Sequence, residues 1–151
     1  MDRTYLADNT AERERLRAFV QRVSDADLSQ PMPAGWTVGG VLAHLAFWDA
    51  RALYLMDTWA QGRVPSAADH EPDDIDWINE AAKPLCLALP PRAAAQLALR
   101  LAEETDQRVA ALPDETLDQL VAIGPPFNLS RASHRKEHLD EIERMLATSA
   151  P

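Results

Sequence analysis

The chain has 151 residues, 46% apolar and 26% charged, which is the size and composition of one soluble globular domain with a sizeable core. Its formal charge of −9 argues against a nucleic-acid partner, because phosphate binding needs clustered Lys and Arg. No apolar run approaches the roughly 20 residues of a membrane span, Met1–Leu6 lacks the pattern of a signal peptide, and a single cysteine, Cys86, excludes an internal disulfide and suits a reducing cytoplasm.

The first helix is predicted from about Thr10 to Val23, with Asn9 and Glu12 forming a capping box and Leu16, Phe19, Val20 and Val23 forming the apolar stripe. Arg13, Arg15, Arg17 and Arg22 alternate with Glu12 and Glu14 there, as on a solvated face. A polar turn and Pro31-Met32-Pro33 follow. Thr37 then caps a helix expected at about 38 to 60, striped by Val38, Val41, Leu45, Trp48, Ala52, Leu55 and Trp59 and stopped near Gly62. Residues 63 to 74 read as an acidic loop in which His70 is solvated, and 75 to 89 as a short helix interrupted near Pro84. Cys86 reads as a small buried apolar residue. Pro91 opens the next long helix, carrying Leu97, Leu101 and Val109 and ending before Pro113. A loop is expected at 113 to 129, after which Ser130 caps a last helix at about 131 to 148 with His134, His138, Ile142 and Met145 inward. The pattern predicts one all-α domain over residues 1–151, a bundle of four long helices with a long connection between the second and third.

Three histidines stand out. His134 and His138 lie four residues apart and so stack on one helix face, while His44 sits on the inward arc of the second long helix. Four histidines produce one such spaced pair by chance in roughly 8% of sequences of this length, so spacing alone decides little. Its coincidence with inward placement and a third inward ring points to a three-imidazole metal site with an open position. The alternative is a set of core histidines satisfied by hydrogen bonds. Neutral imidazoles accept zinc, nickel, iron or copper. Trp48 and Arg131 each lie one turn from a histidine, where an indole and a guanidinium would suit an organic substrate bearing a carboxylate. Either could equally be core packing or surface. Asn79 could cap a helix or bond to bound water. No Ser/His/Asp order, Gly-rich phosphate loop or Cys-x-x-Cys pair is present.

Gly35-Trp36-Thr37-Val38, Leu42-Ala43-His44-Leu45 and Phe47-Trp48-Asp49 resemble the signature of the DinB/YfiT-like family. Asp76 to Glu80 resembles its mid-chain Asn motif, and His134-Arg135-Lys136-Glu137-His138 its C-terminal His-x-x-x-His helix; the likeness runs from about residue 10 to 147. The resemblance implies an up-down-down-up four-helix bundle, a divalent metal held by His44, His134 and His138, and a homodimer. Relatives of that family include mycothiol-dependent maleylpyruvate isomerase, bacillithiol S-transferases, hydrolases and self-resistance proteins. The expectation is therefore a metal-dependent enzyme that joins a low-molecular-weight thiol to a small electrophile, or a related hydrolase, using zinc, nickel or iron. Trp48, Asn79 and Arg131 are its candidate substrate contacts. The alternative is a non-catalytic metal-containing stress protein that sequesters a small molecule.

Overall fold

The computed structural model describes residues 2–150; Met1 and Pro151 of the expected domain lie outside the described residues. Among the described residues seven α-helices follow in chain order: α1 (Tyr5–Arg22), α2 (Asp25–Leu28), α3 (Val38–Ala60), α4 (Asp76–Ala88), α5 (Pro91–Ala110), α6 (Asp114–Ile123) and α7 (Arg131–Ser149). Among the described residues there is no strand, only one isolated bridge between Pro31 and Thr37. No helix among them is long and apolar enough to cross a membrane.

The apolar stripes of α1 and α3 fall where their period puts them. Leu16, Phe19, Val20 and Val23 are buried, as is every predicted stripe residue of α3. Thr37 caps α3, its hydroxyl accepting from the Gly40 amide at 3.0 Å. In α5 the prediction is corrected: Leu97 and Leu101 are only half-buried, and the packed face is Ala94, Ala95, Ala98, Ala102, Thr105, Asp106 and Val109. Small side chains let α5 approach α3 closely. A Cβ added at Gly39 would come within 3.0 Å of Pro91 Cα, so glycine is needed at that crossing. Further along the same pair, Thr105 donates to the Asp49 carbonyl and Arg108 pairs with Asp57. Helix α1 lies against α5 through Arg92, which donates to the Val20 and Val23 carbonyls, and Arg13, which pairs with Asp106. It also lies against α7, with Asn9 near Ala132 and Arg22 near Glu143.

Several expectations are overturned. Helix α1 begins at Tyr5, not Thr10, and Asn9 is no cap of its own helix. Asn9 is buried inside α1, where its Oδ1 accepts from the Ala132 amide at 2.9 Å and its amide group donates to the Leu129 carbonyl at 3.0 Å. It therefore caps α7 from across the fold, and Ser130, the expected cap, makes no side-chain capping bond. The expected loop at 113 to 129 contains α6, begun after Pro113 and ended at Gly124, whose φ of 74° suits a residue without Cβ. Helix α4 continues through Pro84 without interruption. Pro84 lacks the amide that would donate to the Glu80 carbonyl, and both residues are exposed. The arginines of α1 stay partly solvated, with Arg22 exposed, and they also reach neighbouring helices, Arg15 and Arg22 pairing with Glu143 and Arg17 with Glu103.

Among the described residues two large apolar cores form, beside a small cluster of Ala43, Cys86 and Ala94. One gathers Leu16, Phe19, Leu28, Leu42, Leu139 and Ile142; the other gathers Leu55, Met56, Trp59, Leu117, Leu120 and Phe127. Each fully buried side chain of this size is worth roughly 1.5–3 kcal/mol. Between the cores runs a buried ionic layer. Arg135, 1% exposed, holds both oxygens of Asp106 at 2.8 and 2.9 Å and Asp49 at 3.2 Å. Asp49 also accepts from Arg131 Nε at 2.9 Å, and Asp106 from Arg13 at 2.9 Å. Burial works against the Arg135 charge, but Asp49 and Asp106 outweigh it and leave its pKa raised. One connected set of charges thereby ties α1, α3, α5 and α7 together at the level of Asp49.

Candidate metal centre

Five residues before Asp49 on α3 stands His44, and on either side of Arg135 on α7 stand His134 and His138. The ionic layer thus sets the register in which the two histidine-bearing helices face each other. His44 Nε2 lies 3.1 Å from His134 Nε2, and His138 Nε2 lies 3.2 Å from His134 Nε2. The three rings meet edge to face, with centroids 4.8 to 5.1 Å apart. All three residues are half-buried, at the flank of the buried face of α7 and not at its centre, which is Arg135, Leu139 and Ile142.

This arrangement fits a cation better than a hydrogen-bonded cluster. His134 Nε2 has either one proton or one in-plane lone pair, so it satisfies one neighbouring ring and not both. A tetrahedral ion bound at about 2.0–2.1 Å would hold its nitrogens about 3.3 Å apart, close to the spacing seen. Burial, then the charge of His138, lowers the His44 pKa to about 4. Burial, then His138, His44, Arg131 and Arg135, lowers that of His134 to about 2. For His138 burial outweighs the raising effect of Glu137 and Glu141, and its pKa is lowered too. Three neutral imidazoles with converging lone pairs are what a divalent ion needs. His138 Nδ1 is buried with no hydrogen-bond partner, and a Glu141 oxygen stands 3.8 Å away, placed to orient a ligating ring. Among the described residues these three histidines are the one cluster of potential ligand atoms close enough to share an ion.

The rings open on a cavity of about 790 Å³. Trp36 meets His44 edge to face at 5.7 Å, and the strained turn before it, with Ala34 at φ 58°, is held by Lys83, which donates to the Ala34 carbonyl. Trp48, Asn79 and Arg131 all line the cavity. Trp48 is buried, and its indole N–H donates to Asn79 Oδ1 at 2.9 Å, which joins α3 to α4. Asn79 is therefore a partner of the indole and no helix cap. Arg131 is buried, its guanidinium bound to Asp49 and the Asn128 carbonyl. His70 is corrected from solvated to half-buried: its ring nitrogens lie 2.9 Å from the Ala67 carbonyl and 2.7 Å from that of Gly124. Cys86 is buried against Ala43 and Ala94, and burial raises its thiol pKa, away from a reactive thiolate.

The sequence reading missed Asp106 and Arg135. Arg135 sits inside the histidine motif and Asp49 closes the first motif, but no local period links them to Asp106, 57 and 29 residues away.

The family model described as the mycothiol maleylpyruvate isomerase N-terminal domain matches residues 10–143. Comparison with curated proteins and with solved structures gives no match.

Proposed function

The chain belongs to the mycothiol maleylpyruvate isomerase N-terminal domain family, within the DinB-like superfamily, and on that premise we propose that it is a divalent-metal enzyme transferring a low-molecular-weight thiol to a small electrophile. The observation that carries the reading is the convergence of three neutral Nε2 atoms on the wall of an open cavity, with no fourth ligand grouped with them among the described residues. An open position favours turnover over sequestration, and over a purely structural ion. His44, His134 and His138 would hold zinc, nickel or iron. When bound, the ion supplies Lewis acidity that lowers the pKa of a coordinating thiol, or of water in the hydrolase variant.

The remaining work falls to the chain itself. Burial keeps the three rings unprotonated, so their lone pairs stay available near neutral pH. The Arg135–Asp49–Arg131 layer holds α7 against α3 and with it the spacing of His134 from His44. Trp48, fixed by Asn79, offers an indole wall against which an electrophile is oriented. An up-down-down-up bundle belongs to the same reading, supported by the order of paired residues: 39 with 91 and 57 with 108 between α3 and α5, 13 with 106 between α1 and α5, and 9 with 132 between α1 and α7. So does a homodimer in the cytoplasm, for which the exposed Trp77 and Leu85 of α4 supply apolar surface.

The test is elemental analysis of untagged protein purified without chelator, beside the variant with alanine at 44, 134 and 138. Near one equivalent of a divalent metal, absent from the variant, is expected, followed by metal-dependent consumption of a cellular thiol with an electrophile panel. No metal after reloading with zinc, nickel or iron refutes the reading.

A further inference from the structure

The wall of the histidine cavity carries five carboxylates, Glu71, Asp76, Glu80, Glu137 and Glu141, against one guanidinium, that of Arg131. The balance is more one-sided than this count. Arg131 is engaged by Asp49 at 2.9 Å, a carboxylate it shares with Arg135, so an incoming anion has to compete with Asp49 for it. On the acidic side, Glu71 pairs with Arg51 and Glu80 stands 3.8 Å from Lys83. Asp76 and Glu137 make no ion pair among the described residues, and Glu141 pairs with no Lys or Arg there, its neighbour being His138 Nδ1 at 3.8 Å. Three carboxylates without a Lys or Arg partner among the described residues therefore line a cavity that the three ring nitrogens independently mark as a binding site. Even a dication on the histidines, carrying one thiolate, leaves the wall with an excess of negative charge. Aromatic faces complete the picture. Trp36 already receives a cation, with Lys83 Nζ 5.4 Å from its ring centre, and Trp48 lies across the same cavity.

We propose that the small molecule this cavity accepts beside the metal carries a cationic amine and no carboxylate, and that Asp76 and Glu137 set this preference. The inference rests on the metal–thiol reading above and deepens it. A doubly anionic substrate of the maleylpyruvate kind meets repulsion at this wall and finds no free cation to offset it.

Cobalt(II)-loaded protein tests this with three short thiols of similar size: cysteamine, which is cationic, 2-mercaptoethanol, which is neutral, and 3-mercaptopropionate, which is anionic. Occupancy is read from the thiolate-to-cobalt charge-transfer absorption at pH 7 and low salt, in the unaltered protein and in the Asp76→Asn, Glu137→Gln double variant. Both positions are exposed, and matching cobalt d–d spectra in the two proteins show that the histidine site is intact. Thiol acidity differs among the probes but is common to both proteins, so the change in the cysteamine-to-mercaptopropionate affinity ratio isolates the wall. That ratio is expected to fall about tenfold in the double variant, and to shrink in the unaltered protein at 1 M salt. An unchanged ratio, or tighter binding of the anion to the unaltered protein, overturns the inference while leaving the metal–thiol reading standing. A bound cobalt that shows no charge-transfer band with any thiol overturns both.

Discussion

Asp49→Asn removes the charge on which two buried guanidiniums depend while keeping the shape of the side chain. Asp49 accepts from Arg131 at 2.9 Å and Arg135 at 3.2 Å, with all three residues at most 7% exposed at the side chain. Breaking a buried pair from one side costs about 3–5 kcal/mol, because the partner charge stays buried. Arg135 retains both oxygens of Asp106, so the loss belongs at the lower end, about 3 kcal/mol. With a urea m-value of about 2 kcal/mol/M, the unfolding midpoint should drop by about 1.5 M. The assay is urea unfolding of metal-free protein, followed by far-ultraviolet circular dichroism, so that ion binding does not add to the apparent stability. Arg17→Ala, which breaks the half-exposed pairs with Glu14 and Glu103, serves as the comparison and should cost far less, because water screens both. If Asp49→Asn costs no more than Arg17→Ala, the ionic layer does not hold the helices in register.

His138→Ala should lower metal content from near one equivalent to near zero by elemental analysis, and the metal-free variant should melt no lower than the metal-free parent, because a buried unpartnered Nδ1 has been removed. Retention of a full equivalent would exclude His138 as a ligand. The histidine pKa values lie lower in the fold, about 4 for His44 and about 2 for His134, than the ordinary 6.5. Below pH 6.5 the unfolded chain therefore binds protons that the folded chain refuses, so the metal-free protein should lose stability as pH falls from 6.5 to 5 and gain none above 7.5. A melting temperature that rises over that acidification contradicts the burial argument. Asn9→Ala should cost about 1–3 kcal/mol in the same urea assay, since it strips a buried cap from α7 and leaves the Ala132 amide unpaired; a change below 0.5 kcal/mol, small against that range, would mean that water replaces the cap.

The features legible in the residue string are those set by neighbours along the chain. The stripes from Val38 to Trp59 and from Leu16 to Val23 follow the helical period, and the Thr37 cap depends on an amide three residues away. The His134 and His138 pair stacks because four residues make about one turn, and the motif around His44 marked its partner. Helix α6 also has local signals, bounded by Pro113 and Gly124 with Leu117 and Leu120 one turn apart, yet ten residues closed by Pro125 and Pro126 carry too short a period to stand out from a loop. Asn9 reads locally as the start of α1, and only the approach of α7 makes it a cap for Ala132 instead. Arg131 reads as a free guanidinium until Asp49 arrives from α3, and Arg135 as one more charge on a polar helix until Asp106 arrives from α5. A helical period reports which face turns inward, since that depends on backbone geometry alone. Which charge meets which inside depends on how the helices pack, and that pairing decided both the ionic layer and the negative balance of the cavity.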